Sequence, residues 1–208
     1  MFRKTYRPGR SGHIIGAMAV KMCLLLILAL PTIAAAEDET MLIDDFSKPG
    51  LVSALGTEWR GVSDRVMGGV SEASVSRTEG GGRQSLRLRG DVRLENNGGF
   101  IQAALNLAAG SDTLDATDYR GIRLVARGNG ERYSLHLRTP ENTRPWQSYR
   151  AEFTAGPDWQ TVDLPFADFA PYRLDTPLDI TRLRRLGLVA VGRAFSADLM
   201  VSSVELYR

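Results

Sequence analysis

The chain of 208 residues holds a single cysteine and only two histidines. Cys23 falls inside the apolar run MCLLLILALPTI, Met22 to Ile33, so the body of the protein has no disulfide, no thiol nucleophile and no cysteine metal site. His13 precedes that run, which leaves His136 as the one imidazole of the main body. It sits mid-strand in RYSLHLR, and no serine carries a nucleophile-elbow sequence around it, which excludes hydrolase triads of the Ser-His-Asp or Cys-His kind. Zinc sites of the usual Cys/His composition are excluded by count. RVMGGVS lacks the GK[ST] ending of a phosphate loop, and GNGERY is a turn between strands. No internal repeat or low-complexity linker is present.

The N-terminus lacks acids altogether. Residues 1–36 contain Arg3, Lys4, Arg7, Arg10 and Lys21, then the apolar run, which at about a dozen residues is short for a bilayer span. Ala34 and Ala36 satisfy the small-x-small cleavage rule, so residues 1–36 are expected to be an export signal cleaved after Ala36, with Met18 an alternative start. A mitochondrial presequence and an uncleaved membrane anchor are the competing readings. Without the five basic residues of the signal, 21 basic side chains face 24 acidic ones, a net charge of −3. The basicity of the full chain thus belongs to the signal and gives no case for nucleic acid. Residues 37–208 make one domain, long enough to bury about 70% of its unfolded surface without covalent staples. An exported, periplasmic or secreted location follows, with the membrane touched only through the signal.

What remains is rich in short alternating segments separated by Gly, Pro, Asn and Asp, with no clean helical stripe. Ten strands are expected: MLIDDF, EASVSR, SLRLRG, GFIQAALNL, GIRLVAR, RYSLHLR, SYRAEF, WQTVDL, RLGLVAVG and DLMVSSVELY. That number in one domain predicts an all-β, two-sheet jelly-roll sandwich. Leu164 to Pro177 reads as one long irregular connection. Alternation points Leu86, Leu88, Ile122, Leu124, Tyr133, Leu135 and Leu137 into the core. The opposite face then receives Arg123, Val125 and Arg127 from one strand, Ser134, His136 and Arg138 from the next, and Ser148, Arg150 and Glu152 from a third. Such a face is either a solvated surface balanced by acids or a site for an anionic or hydroxylated ligand, with Trp146 beside it.

Two Gly-Gly corners interrupt the pattern, SDRVMGGVS (Ser63 to Ser71) and ENNGGF (Glu95 to Phe100). Paired glycines permit positive φ or close approach of backbone, while Asp64, Arg65, Asn96 and Asn97 offer acceptors and donors. The corners are expected to meet at one end of the sandwich, either as a structural hydrogen-bond cluster or as a recognition site. Asp64 with Glu95 would supply a carboxylate pair for acid/base work on a glycoside. Asp44, Asp45 or Glu205 offers oxygens to a hard cation such as Ca²⁺, and solvated strand-end carboxylates are the competing reading.

Taken in order, IDDF, a Trp followed by SDRVMGGVS, LENNGGF, Y.L.LR, YRAEF, W..VDLPFADF and a closing LGL resemble the complex I intermediate-associated protein family, thirty-kilodalton class, from about Ile43 to Tyr207. The resemblance implies a galactose-binding-like sandwich related to carbohydrate-binding modules, and a non-catalytic assembly or chaperone role with a protein partner, respiratory-complex or envelope subunits. It implies no cofactor. A glycan is the alternative ligand, since export fits an envelope or carbohydrate role. The expected binding residues are Asp64, Arg65, Met67, Gly68, Gly69, Asn96, Asn97, Arg127, His136, Arg138, Trp146 and Arg150; those of the two corners are also the family's signature positions.

Overall fold

A computed structural model describes residues 39–110 and 112–208. The expected signal and its cleavage site lie outside the described residues. Twelve strands form two antiparallel sheets. In chain order they are β1 (Met41–Asp44), β2 (Arg60–Ser63), β3 (Glu72–Gly80), β4 (Arg83–Val92), β5 (Phe100–Asn106), β6 (Gly121–Gly128), β7 (Arg132–Arg138), β8 (Ser148–Thr154), β9 (Gln160–Pro165), β10 (Ala170–Tyr172), β11 (Arg185–Val191) and β12 (Phe195–Tyr207). The first sheet runs β3-β4-β12-β6-β9, with β1 also paired to β12; the second runs β10-β8-β7-β11-β5-β2. All ten expected strands form. The two additional ones, β2 and β10, are the short edges of the second sheet.

Between the sheets lies an apolar core from every long strand, including Leu86, Leu88, Ile101, Leu105, Ile122, Leu124, Tyr133, Leu135, Leu137, Leu188 and Val204. The alternation of β7 and β8 splits each strand cleanly. Tyr133, Leu135, Leu137, Tyr149, Ala151 and Phe153 face the other sheet, and the residues between them face outward. Near the N-terminal end, Trp59 is buried against Phe46, and its indole Nε1 donates to Asp44 Oδ2 at 2.7 Å. Asp44 Oδ1 accepts from the N–H groups of Phe46 (3.0 Å) and Ala54 (3.3 Å). This carboxylate is thus fully engaged in folding. Asp45 is likewise held by Ser47, and Glu205 lies 3.9 Å from Arg123, so the carboxylates considered for a cation each face a protein donor. Among the described residues no group of three potential metal ligands occurs.

One expectation about faces is corrected. β6 and β7 are consecutive, but they belong to different sheets, so Arg123, Val125 and Arg127 do not share a surface with His136, Arg138 and Arg150. The turn between them does not close a hairpin. Its Gly128 and Gly130 N–H groups donate to Gly156 O (2.7 Å) and Ala155 O (2.8 Å), in the segment that carries β8 back to β9. Two crossings between sheets therefore lie side by side and satisfy each other.

Candidate functional site: a cleft on the outer face of the second sheet

The two Gly-Gly corners meet, and Asp64 joins them. Asp64 opens a 3₁₀ turn, Asp64–Met67, directly after β2; a second, Glu95–Asn97, directly precedes β5. The Asp64 side chain is completely buried. Its Oδ1 accepts from Ser71 N at 2.9 Å, and its Oδ2 from Gly99 N at 2.6 Å, Phe100 N at 3.3 Å and the Ser71 hydroxyl. Ser71 Oγ in turn accepts from Arg93 N at 2.9 Å, and Asn96 Nδ2 donates to Gly68 O at 3.3 Å. Burial, the largest single influence on Asp64, raises its carboxyl, but the hydrogen bonds from Ser71, Gly99 and Phe100 together outweigh it and hold the group below its ordinary range.

The glycines now have distinct duties. Gly68 (φ +89°) and Gly99 (φ +127°) supply backbone that L side chains rarely adopt. Gly69 and Gly98 make room: a Cβ on Gly69 would stand 2.4 Å from the Asp64 carboxylate, and one on Gly98 would stand 2.5 Å from its Oδ2. Each pair contributes one turn-former and one neighbour to the same carboxylate.

Of the polar side chains of these turns only Asn97 faces the open side of the sheet; the rest of what the turns present there is apolar. Val66 is 73% exposed, Met67 50% and Leu94 50%. They line a cleft of about 480 Å³ on the outer face of the second sheet, within the size range of ligand sites. Its floor comes from outward residues of the central strands, the polar Gln102, His136, Arg138, Ser148, Arg150 and Arg185 together with the apolar Ala104, Val189 and Val191. Trp146 and Tyr172 stand on the far side, the first just before β8 and the second on edge strand β10. Gly187 shapes the middle, because a Cβ there would sit 2.2 Å from the amide of Gln102.

The cleft is cationic. Arg138, Arg150 and Arg185 line it, and the lining contains no Asp or Glu. Arg138 donates to the carbonyls of Pro145 (3.1 Å), Asn142 (2.9 Å) and Arg144 (2.9 Å), pinning the loop that carries Trp146. Arg150 donates through Nε to Ser148 Oγ at 2.9 Å and stacks 3.4 Å over the Tyr172 ring. Arg185 donates through Nε to Asn106 Oδ1 at 3.1 Å. Burial, and then neighbouring arginines, lowers Arg138 and Arg185; burial is also the main influence lowering Arg150. Burial, followed by Arg150 and Arg138, pushes His136 down to about 3, so its imidazole is neutral at ordinary pH. Its Nε2 is buried without a hydrogen-bond partner.

The sequence-derived residues therefore divide. Met67, Asn97, His136, Arg138, Trp146 and Arg150 line one cleft. Asp64, Gly68, Gly69 and Asn96 build the turns behind its rim, where Asp64 has no exposed surface to offer a ligand. Arg65 pairs with Glu72 at 3.3 Å on the surface, and it is not among the lining residues. Arg127 is corrected outright: it lies on the first sheet, beside Trp159. Nor do Asp64 and Glu95 form an open carboxylate pair, since Glu95 is exposed and bonded to Arg93. Sequence reading passed over Val66, Leu94, Gln102, Tyr172 and Arg185. Gln102 and Arg185 could have been found by extending the alternation of β5 and β11, because both occupy outward positions.

The family model for Complex I intermediate-associated protein 30 (CIA30) matches residues 45–199. The chain belongs to this family. No curated protein matches the sequence. Among solved structures, the family 11 carbohydrate-binding module of the cellulosomal cellulase Lic26A-Cel5E of Clostridium thermocellum superposes with a TM-score of 0.61 at 15% identity, over 81% of this chain and 94% of that one. A structure of the family 11 module from the same organism, in complex with a β-1,3-1,4-mixed-linked tetrasaccharide, gives 0.59 at 15% identity, over 80% and 94%. A family 30 carbohydrate-binding module gives 0.57 at 17%, over 80% and 87%. At these identities the likeness establishes the fold, the two-sheet jelly-roll sandwich of these modules, and nothing about ligand.

Proposed function

We propose that this CIA30-family protein is a non-catalytic, exported binding factor that grips a partner protein in the cleft and serves the assembly or scaffolding of a membrane or envelope complex. One observation carries the reading. Of the seven large hydrophobic side chains exposed among the described residues, five (Val66, Met67, Leu94, Trp146 and Tyr172) surround this one cleft. Clustered exposed apolar surface marks interaction sites, and a flexible Met suits a protein partner. Membership of a family named for complex I intermediates supports the same role. Export rests on the acid-free N-terminus and the Ala34-x-Ala36 site.

A photoreactive phenylalanine analogue placed at Met67 or Trp146 tests this in the native envelope. Cross-links to a small, reproducible set of membrane-complex subunits are expected, on a protein whose mass begins near Glu37. An intact Met22 to Ile33 run would overturn export. A specific observation favours a second reading, carbohydrate binding: two exposed rings, Trp146 and Tyr172, flank a floor bearing Gln102 and Ser148, on a fold shared with carbohydrate-binding modules. Retention on a glycan array without any protein cross-link would replace the first reading with the second.

A further inference from the structure

We infer that the cleft is built for an acidic segment of the partner protein, a stretch of chain with carboxylates at its centre and apolar side chains on both flanks. The inference rests on the partner-binding reading above and adds the chemistry of what is bound.

The charge inventory comes first. Three guanidinium groups share the floor, and no carboxylate lines it. Arginine does not escape burial by losing its proton, so this partly desolvated cluster of three, held by neutral partners, has no counter-charge in the cleft lining. Glu152, further along β8 on the same face, is bonded to Arg132 at 3.5 Å. The cations are also arranged in register. Arg185 is opposite Arg138, and His136 is opposite both Arg150 and Gly187. Arg138 spends its donors on three loop carbonyls and Arg150 is also bonded to and stacked on Tyr172, whereas Arg185 commits only Nε among the hydrogen bonds described. The terminal N–H groups of Arg185 suit the planar fork of a carboxylate, and Arg150 adds its charge beside them.

His136 adds an unpaired polar atom to the same floor. It is only 9% exposed, it lines the cleft, and its Nε2 has no hydrogen-bond partner. Buried polar atoms are normally satisfied, and because Nε2 has no accessible surface of its own, a carboxylate reaches it only when a neighbouring side chain moves aside.

The flanks decide between kinds of anion. Val66, Met67 and Leu94 stand by the β2–β5 edge, Trp146 and Tyr172 by the β8–β10 edge, with β7 and β11 between them. That side is mainly aliphatic, with Asn97 its one polar side chain, and it accepts a Leu, Val or Phe side chain more readily than a sugar ring. A polypeptide crossing the sheet satisfies both edges and the centre at once.

The test is a display selection of random dodecapeptides on the immobilised full-length protein, followed by solution titration of the recovered peptides, their Gln-for-Glu and Asn-for-Asp counterparts, and polygalacturonate. Enrichment of Asp and Glu between apolar residues is expected. Neutral counterparts should bind about tenfold more weakly or worse, the loss typical of a charge-assisted hydrogen bond. Arg150→Gln and Arg185→Gln, each checked for an unchanged melting temperature, should weaken the acidic peptides by a similar factor. For the unmodified protein, affinity should fall as salt rises, a readout that needs no variant. Recovered peptides without acidic enrichment, bound equally by both variants, would overturn the inference while leaving partner binding in place. Polygalacturonate bound where no peptide is recovered would overturn the inference and the partner reading together, and failure of every probe would overturn the inference.

Discussion

At the scale of single residues, Asp64 and the glycines around it make a sharp case. Asp64 receives three backbone N–H groups and one hydroxyl in a site without solvent. Leaving buried donors unpaired costs roughly 1–3 kcal/mol each, so Asp64→Ala is expected to destabilise the protein by about 3 kcal/mol or more in urea unfolding. The adjacent glycines should separate by mechanism. Gly68→Ala faces open space and only an unfavourable φ, a cost of about 1 kcal/mol. Gly69→Ala pushes a methyl into the Asp64 carboxylate and should approach the loss seen for Asp64→Ala. A Gly69→Ala protein that unfolds at the same urea concentration as Gly68→Ala would show that the clamp yields easily. The expectation that Arg65, Asn96 and Asn97 donate to Asp64 was chemically natural, but backbone amides took that part, with Ser71 beside them. Tight turns bring main-chain donors closer than long side chains reach.

At the scale of elements, one guanidinium gathers three carbonyls of the loop from Asn142 to Gln147. Arg138→Ala removes three carbonyl contacts and is expected to speed hydrogen exchange of that loop by about tenfold or more, with Trp146 emission shifting toward solvent. Unchanged exchange would mean that Gln147, which bonds Arg144 N and Arg173 O, holds the loop alone. Elements also show where sequence reading succeeds. The long strands were legible because one face of each is buried, which writes period-two alternation into the chain. β2 and β10 were not. Arg60–Ser63 has no fully buried residue, and Ala170–Tyr172 is exposed throughout and contains Pro171, which is tolerated at a sheet edge. The sheet membership of β6 and β7 was illegible for another reason. GNGE is suitable for a hairpin, and only the distant carbonyls of Ala155 and Gly156 make it a crossing. Half of the expected site residues meet in the cleft because they occupy outward strand positions or adjacent loops. Tyr172 was missed with its strand.

At the scale of the whole molecule, the titrating groups set a direction for stability. His136 titrates near 6.5 in the unfolded chain and at about 3 when folded. Its contribution is complete above about pH 6.5 and is lost as pH falls toward 3, at a slope of up to about 1.4 kcal/mol per pH unit. Asp64, held below its usual 3.8, contributes above that value and is lost as pH falls through its folded pKa. Both act in the same sense but in successive windows, so melting temperature should decline from about pH 6.5 to 4 through His136 and further below 3.8 as Asp64 joins it. His136→Gln should flatten the part between pH 6 and 4 and leave the carboxylate limb below it. Parallel curves for the two proteins would mean that the imidazole is hydrated in solution.

The Asp64–Gly99 bond spans 35 positions, and it closes off the β3–β4 hairpin at its base. Disulfides commonly fasten such loops in secreted proteins, yet residues 39–208 contain no cysteine. A buried carboxylate takes the place of that cross-link. This fastening therefore forms without an oxidase and survives reducing agents, whereas a proton undoes it.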